Sequence, residues 1–250
     1  MPVPLDIERA NADLAGQPPE AIVSWALTTF GPARVAVQSS MQKTAGVLMH
    51  MAGTLAPGTA VLFVDTGVHF PETLELRDGF ASRYGLNMIT GLPERTFDEQ
   101  FEDFGRQLYE TDDRPEGAPP GYQECCRLRK EVPYLAVTRG RFDAVLGGLT
   151  RAEGGVRKSV AIVAFDPRID AYKINPLAEW DGARVDAYTA EHGVPVHPLY
   201  ARGYTSIGCW TCTTPTAPGE HPRAGRWRHL NQEGGGTPMY CGINLEDRMA

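Results

Sequence analysis

The stretch Arg34-Val35-Ala36-Val37-Gln38-Ser39-Ser40 decides the fold. A short apolar run closed by polar residues reads as a buried strand, and the residues after it carry a helical pattern through Val47, Leu48, Met51 and Leu55. The unit then repeats. Ala60 to Val64 reads as a second strand ending in Asp65-Thr66-Gly67, the helix after Pro71 carries Leu74, Leu76 and Phe80, and another strand falls near Leu86 to Ile89. Alternation of this kind implies an α/β fold, a mainly parallel sheet with helices on both faces. In such sheets ligands bind beyond the carboxyl ends of the strands, which is where Ser39, Ser40 and Asp65-Thr66-Gly67 stand.

Working outward, the spacing of Ala21, Ile22, Trp25, Ala26 and Phe30 predicts a helix after Pro18-Pro19. The segment from Thr111 to Gln123 is rich in Pro, Gly and acids and reads as an exposed loop. Ala144 to Leu146 and Val160 to Phe165 are further strand candidates, and a helix is expected over Ala183 to His192. From Thr213 onward Gly and Pro are dense and periodicity disappears. The expected division is a body over 1–212 and an irregular C-terminal tail over 213–250.

With 250 residues, 42% hydrophobic and 22% charged, the chain can bury one good-sized core, and it lacks the bias of a disordered or collagenous sequence. No apolar stretch approaches the roughly 20 residues of a membrane span. The N-terminus, MPVPLDIERANADLAG, has no charged n-region followed by an apolar h-region, so a cytoplasmic protein is expected. A net charge of -7 argues against broad nucleic-acid binding, which needs a basic face. Any anion site must be local.

The five cysteines form an adjacent pair, Cys125-Cys126, a spaced pair, Cys209-Trp210-Thr211-Cys212, and a lone Cys241. An odd number in a reducing compartment favours metal binding or thiol chemistry over structural disulfides. Four converging thiolates suit a tetrahedral zinc or a 4Fe-4S cluster, and buried free cysteines are the bland alternative. Zinc prefers pairs with spacers, so the adjacent pair leans toward a cluster. After that pair, Arg127-Leu128-Arg129-Lys130 is a positive patch in an acidic protein; it can stabilise thiolates and hold an anion, or can be a solvated helix face.

The segments Val64-Asp65-Thr66-Gly67-Val68-His69-Phe70-Pro71-Glu72-Thr73, Cys125-Cys126-Arg127-Leu128-Arg129-Lys130, Ser206-Ile207-Gly208-Cys209-Trp210-Thr211-Cys212-Thr213 and Pro222-Arg223-Ala224-Gly225-Arg226-Trp227 resemble those of the bacterial APS/PAPS reductases, in order from Val35 to Asn244. The two cysteine pairs match the iron–sulfur, adenylyl-sulfate (APS) branch. The resemblance implies an adenine-nucleotide alpha hydrolase-like fold and a 4Fe-4S cluster on Cys125, Cys126, Cys209 and Cys212. It also implies a nucleophilic Cys241 in a mobile tail whose approach, Gly234-Gly235-Gly236, is glycine-rich.

The implied reaction is reduction of APS to sulfite and AMP in sulfate assimilation. A thiolate of Cys241 would attack the sulfuryl sulfur, and thioredoxin or glutaredoxin would resolve the S-sulfocysteine. Negative charge builds on oxygens as AMP departs, so cationic donors must be waiting. By the same resemblance Ser39 and Ser40 begin a modified pyrophosphate loop, and Lys130 faces cluster and substrate. Val64 and Gly148 match positions that hold adenine, Arg151 and Arg157 line the phosphosulfate pocket, and Arg223 and Arg226 clamp the sulfate end. A homo-oligomer is compatible with the family.

The chain also departs from the family pattern. The family's tail usually reads Glu-Cys-Gly-Leu-His, and here it is Tyr240-Cys241-Gly242-Ile243-Asn244; Thr211 replaces a proline and Thr150 one of two arginines. Three rivals follow: a PAPS reductase or diverged sulfur-transfer enzyme, an ATP-using enzyme of the same fold, and a non-catalytic iron–sulfur or zinc module. The second lacks support because Ser39-Ser40-Met41-Gln42-Lys43 is not a Ser-Gly-Gly-x-Asp-Ser loop. The third leaves Cys241 and the tail arginines unused.

Overall fold

The apolar runs become the strands β1 (Val35–Ser39), β2 (Ala60–Val64), β3 (Asn87–Gly91), β4 (Ala144–Leu146), β5 (Val163–Asp166) and β6 (Ala171–Ile174). In the computed structural model, which describes residues 4–113, 116, 120–230 and 243–244, they form one sheet in the order β3-β2-β1-β4-β6-β5. Every neighbouring pair is parallel except β5 and β6. In the centre, Val37 lies opposite Val61 on one side and Leu146 on the other.

The sheet is covered by α1 (Ile7–Leu14), α2 (Pro19–Phe30), α3 (Lys43–Leu55), α4 (Pro71–Tyr84), α5 (Phe97–Phe104), α6 (Gly121–Cys126), α7 (Val132–Thr138) and α8 (Gly182–Glu191). Strand side chains alternate between faces. Val35, Val37, Val61 and Phe63 therefore pack with Ile22, Leu48, Phe80 and Val185 on one face. Ala36, Leu62, Val64 and Val145 pack with Tyr134 on the other. Burial on both faces explains why these strands read as continuous apolar runs. Local signals set the helix ends: proline opens α2 and α4, Gly85 closes α4 at φ 59°, and Thr96 and Glu99 form a capping box on α5.

The differences from the expected elements have local causes. β6 contains Lys173 within Ala171-Tyr172-Lys173-Ile174, and the buried charge masks an otherwise apolar run. The strand expected from Val160 begins at Val163, because 155–159 are wound in a 3-10 turn that carries on into the approach. α1 was not anticipated; Asp6 caps it by accepting from Arg9 N at 3.0 Å. Among the described residues after Thr213 there is no helix or strand, only a bridge between Thr213 and Arg226. Residues 213–230 nevertheless pack on the body, with Arg226 and Trp227 buried. No helix among the described residues is long and apolar enough to cross a membrane.

Gly91, the last residue of β3, supports the backbone of α7. An added Cβ would stand 2.8 Å from the Pro133 carbonyl oxygen, and Gly91 O is itself fixed by Asp65 N at 3.0 Å. Gly91→Ala is expected to lower stability by about 1–3 kcal/mol through overpacking. The check is a lower urea midpoint at unchanged slope; an unchanged midpoint means α7 yields freely.

Candidate active site

The carboxyl ends of β1, β2 and β4 open onto a cleft of about 600 Å³. Ser39 and Ser40 stand at its floor, and the Ser39 hydroxyl accepts from Met41 N at 3.1 Å, closing a tight turn in which Met41 takes a positive φ of 57°. α3 then starts at Lys43 with no side-chain cap, and its first residues, Lys43, Thr44 and Ala45, line the cleft. An uncapped helix start presents N–H groups and partial positive charge, which suits an anion. Gly148 lets the loop after β4 press on this helix start: a Cβ there would stand 2.7 Å from Thr44 Oγ1.

The other residues singled out from the sequence fall in different places. Val64 lines the cleft, and its carbonyl accepts from His69 Nε2 at 2.9 Å. A carbonyl only accepts, so Nε2 carries the proton. Burial holds the His69 imidazole down at about 4, hence neutral near pH 7. Arg157 is on the wall, paired with Glu153 at 2.7 Å. Arg223 and Arg226 close the far side. Arg226 is buried; its Nη1 reaches Ser206 Oγ at 3.5 Å and Ile207 O at 3.4 Å, and a side chain at Gly208 would collide with it. Arg151 is not among the cleft residues. It donates to Val160 O at 3.0 Å and to Glu179 at 3.1 Å. Ile243 and Asn244 line the cleft, and Cys241 lies outside the described residues.

Beside the cleft, Cys125, Cys126, Cys209 and Cys212 line one narrow cavity with Val68, Tyr122 and Trp227. None of the four forms a disulfide. Two neighbouring segments hold the later pair: Trp210 N donates to Val68 O at 3.0 Å, and Trp227 N donates to Cys212 O at 2.9 Å. The Thr66 hydroxyl lies 3.4 Å from Cys209 Sγ, and Gln100 Nε2 donates to Cys125 Sγ at 3.7 Å. Burial pushes the Cys212 thiol up to about 11 and raises that of Cys125, with Cys209 adding to both. Such thiols ionise only against compensating positive charge.

The chain supplies that charge through an irregular turn. After Cys126 the helix widens into a π turn over Arg127–Glu131, which buries Arg129, Lys130 and Glu131 in succession. Arg129 and Lys130 are therefore not on a solvated face, whereas Arg127 is exposed and pairs with Glu124 at 2.7 Å. Arg129 Nε donates to Thr66 O at 2.7 Å; its Nη1 reaches Arg95 O and Thr96 O, each at 3.2 Å, and Gln100 Oε1 at 3.3 Å. Lys130 lines both the cysteine cavity and the cleft. Adjacent helical residues point about 100° apart. Zinc, with bonds of about 2.3 Å, needs sulfurs roughly 3.8 Å apart. Among the described residues no group of three or more His, Cys, Asp and Glu side chains is arranged to hold a metal ion.

Sequence reasoning missed Gln100, whose isolated polar character in α5 gives no signal of a sulfur contact. It also gave Thr66 no individual role, although the turn containing it stood out at a strand end. Trp227 was only part of a motif; here it seals the cavity at 1% exposure.

Residues 34–215 match the model of the phosphoadenosine phosphosulfate reductase domain. The chain is 39% identical over 238 residues to the adenosine 5'-phosphosulfate reductase of Mycolicibacterium smegmatis, covering 95% of this chain and 93% of that protein. It is 37% identical over 237 residues to the protein of the same name from Streptomyces coelicolor, covering 95% and 92%. Among solved structures, the phosphoadenylyl-sulfate reductase from Candida auris, in a phosphate complex, superposes with a TM-score of 0.70 at 26% identity, covering 86% of this chain and 100% of that one.

Arg129 is the residue whose geometry the site tolerates least. A lysine offers one ammonium where the guanidinium fork serves several fixed acceptors, so Arg129→Lys is expected to cost about 3 kcal/mol. Chemical denaturation measures it; a loss below about 0.5 kcal/mol would mean these contacts are replaceable.

Proposed function

The chain belongs to the phosphoadenosine phosphosulfate reductase family, and on that premise we propose that it reduces adenylyl sulfate to sulfite and AMP in sulfate assimilation. The observation that carries the reading is Lys130, which borders both the cysteine cavity and the cleft. One cation at the seam can face a negative group in the cavity and an anionic substrate in the cleft.

In this reading Cys125, Cys126, Cys209 and Cys212 hold a 4Fe-4S cluster, supported by the four cysteines lining one cavity with none of them in a disulfide. When bound, the cluster would supply concentrated negative charge and a covalent tie between α6 and the 209–212 turn. The Thr66 hydroxyl and Gln100 amide are placed to donate toward Cys209 and Cys125. Lys130 and the buried guanidinium of Arg129 offset the charge of the thiolates.

The substrate's phosphosulfate would lie between the start of α3 and Arg157, Arg223 and Arg226, with the adenine toward Val64 and Gly148. Ser39 and Ser40 and the amides at the start of α3 would take the phosphate oxygens. Residues 1–212 would be the nucleotide- and cluster-binding body, and 213–250 the tail that carries the nucleophile. The Cys241 thiolate attacks the sulfuryl sulfur: an S–S bond forms, the S–O bond to AMP breaks, and AMP leaves with the electron pair. A thioredoxin or glutaredoxin thiolate then attacks Cys241 Sγ and releases sulfite. A second thiol of the reductant then attacks its own partner sulfur in the mixed disulfide, the bond to Cys241 Sγ breaks and frees the Cys241 thiolate, and the reductant leaves as a disulfide, its dithiol having supplied both electrons. Support for Cys241 comes from its neighbours: Ile243 and Asn244 line the cleft, and two residues of chain span at most about 7 Å.

Three outcomes are expected. Anaerobically purified protein should contain four irons and four sulfides per chain, lost on Cys→Ser replacement at 125, 126, 209 or 212; stoichiometric zinc without iron contradicts the cluster. With APS and no reductant, one sulfo group should appear on the Cys241 peptide and be absent in Cys241→Ser. Turnover should favour APS over PAPS in kcat/KM by at least tenfold, about 1.4 kcal/mol. An adduct on another cysteine overturns the mechanism, and a tenfold preference for PAPS reverses the substrate assignment.

A further inference from the structure

Lys173 stands in the middle of β6 at 2% exposure, where a strand covered on both faces normally carries an apolar residue. Its ammonium donates to the Gln38 side-chain oxygen and, at 3.5 Å, to the Tyr134 hydroxyl. An ammonium only donates, so the Gln38 oxygen must face it and the Gln38 NH2 must face away. That NH2 donates to the Asn244 side-chain oxygen at 3.1 Å. Lys173, on the same face of the sheet as Gln38, thus dictates which atom Gln38 presents at the cleft.

A second contact holds the preceding residue. Arg168, on the turn between β5 and β6, donates to the Ile243 carbonyl at 2.9 Å. Its guanidinium is already fixed by Asp166 at 2.7 Å and faces Glu131 at 3.6 Å, both carboxylates buried. The Ile243 side chain packs against the apolar group that contains Leu62, Val64 and Tyr134. Each protein donor is thus oriented by a buried partner of its own, so docking Ile243 and Asn244 orders few additional side chains.

We propose that Gln38 and Arg168 are positioning residues, forming an anchor that seats Ile243 and Asn244 on the cleft wall. The anchor fixes where the C-terminal segment meets the active site. Its consequence for turnover rests on the reading of Cys241 as nucleophile; the anchor itself does not. Asn244 is then a specific partner of Gln38, because its oxygen is the acceptor the outward-facing NH2 requires.

Hydrogen exchange of the full-length protein without substrate tests this through the peptide containing Ile243 and Asn244. Asn244→Leu and Gln38→Ala should each speed its exchange about fivefold, the weight of one neutral hydrogen bond. The double variant should be no faster than the faster single, because both remove the same bond. Asn244→Asp keeps an acceptor and should stay within about twofold of the parent. Asn244→Leu lies outside the sheet, so it carries the test if Gln38→Ala weakens β1. In turnover, Asn244→Leu should lower kcat about fivefold while AMP affinity stays within about twofold. Unchanged exchange in Asn244→Leu, or effects that multiply in the double variant, overturns the anchor. If APS instead leaves no adduct on Cys241 in the parent, the nucleophile reading fails while the exchange series still judges the anchor.

Discussion

The buried guanidinium of Arg129 joins segments that the sheet alone would leave apart. Its fork reaches the backbone after β2, the residues before α5 and Gln100 within α5. It projects from the π turn that directly follows Cys125 and Cys126. The loop after β2 in turn holds the later cysteines, through the bond from Trp210 N to Val68 O and the bridge between His69 and Cys209. Two cysteine pairs distant in sequence therefore share one cavity because both are tied to the end of one strand.

Charge is distributed to match. The chain carries a net charge of -7, yet Arg129, Lys130, Arg157 and Arg226 are all buried along the cleft or its seam with the cavity. Local positive potential inside an acidic molecule favours a small anion over a polyanion such as nucleic acid. Lys130 lines both the cysteine cavity and the cleft, so one cation borders both.

Much of this architecture was legible in the sequence because the doubly covered strands β1, β2 and β4 leave apolar runs and their turns end in small polar residues. The cysteine pairs were equally plain. β6 was hidden by Lys173, a charge whose partners come from β1 and α7 and are visible only in three dimensions. The basic run after Cys126 read as a patch facing thiolates and an anion or as a solvated helix face, and nothing in residue spacing announces the π turn that buries Arg129 and Lys130. Arg151 matched a family position, and in this fold its guanidinium donates to Glu179 and to the Val160 carbonyl, contacts the sequence did not announce. Conversely, Asn244 stood out only as a departure from the family's tail, and the structure gives its side chain a defined partner in Gln38.

The central claim is that Lys130 serves the sulfo end of a nucleotide substrate from the seam between cavity and cleft. Equilibrium binding of APS and of AMP to cluster-loaded protein tests it most directly, with Cys241→Ser present to prevent turnover and Lys130→Met compared against the intact lysine. AMP lacks the sulfo group, so the account predicts that Lys130→Met weakens APS about tenfold or more, the weight of a charged hydrogen bond, and leaves AMP within about twofold. Equal losses for both ligands, or an unchanged affinity for APS, would contradict it.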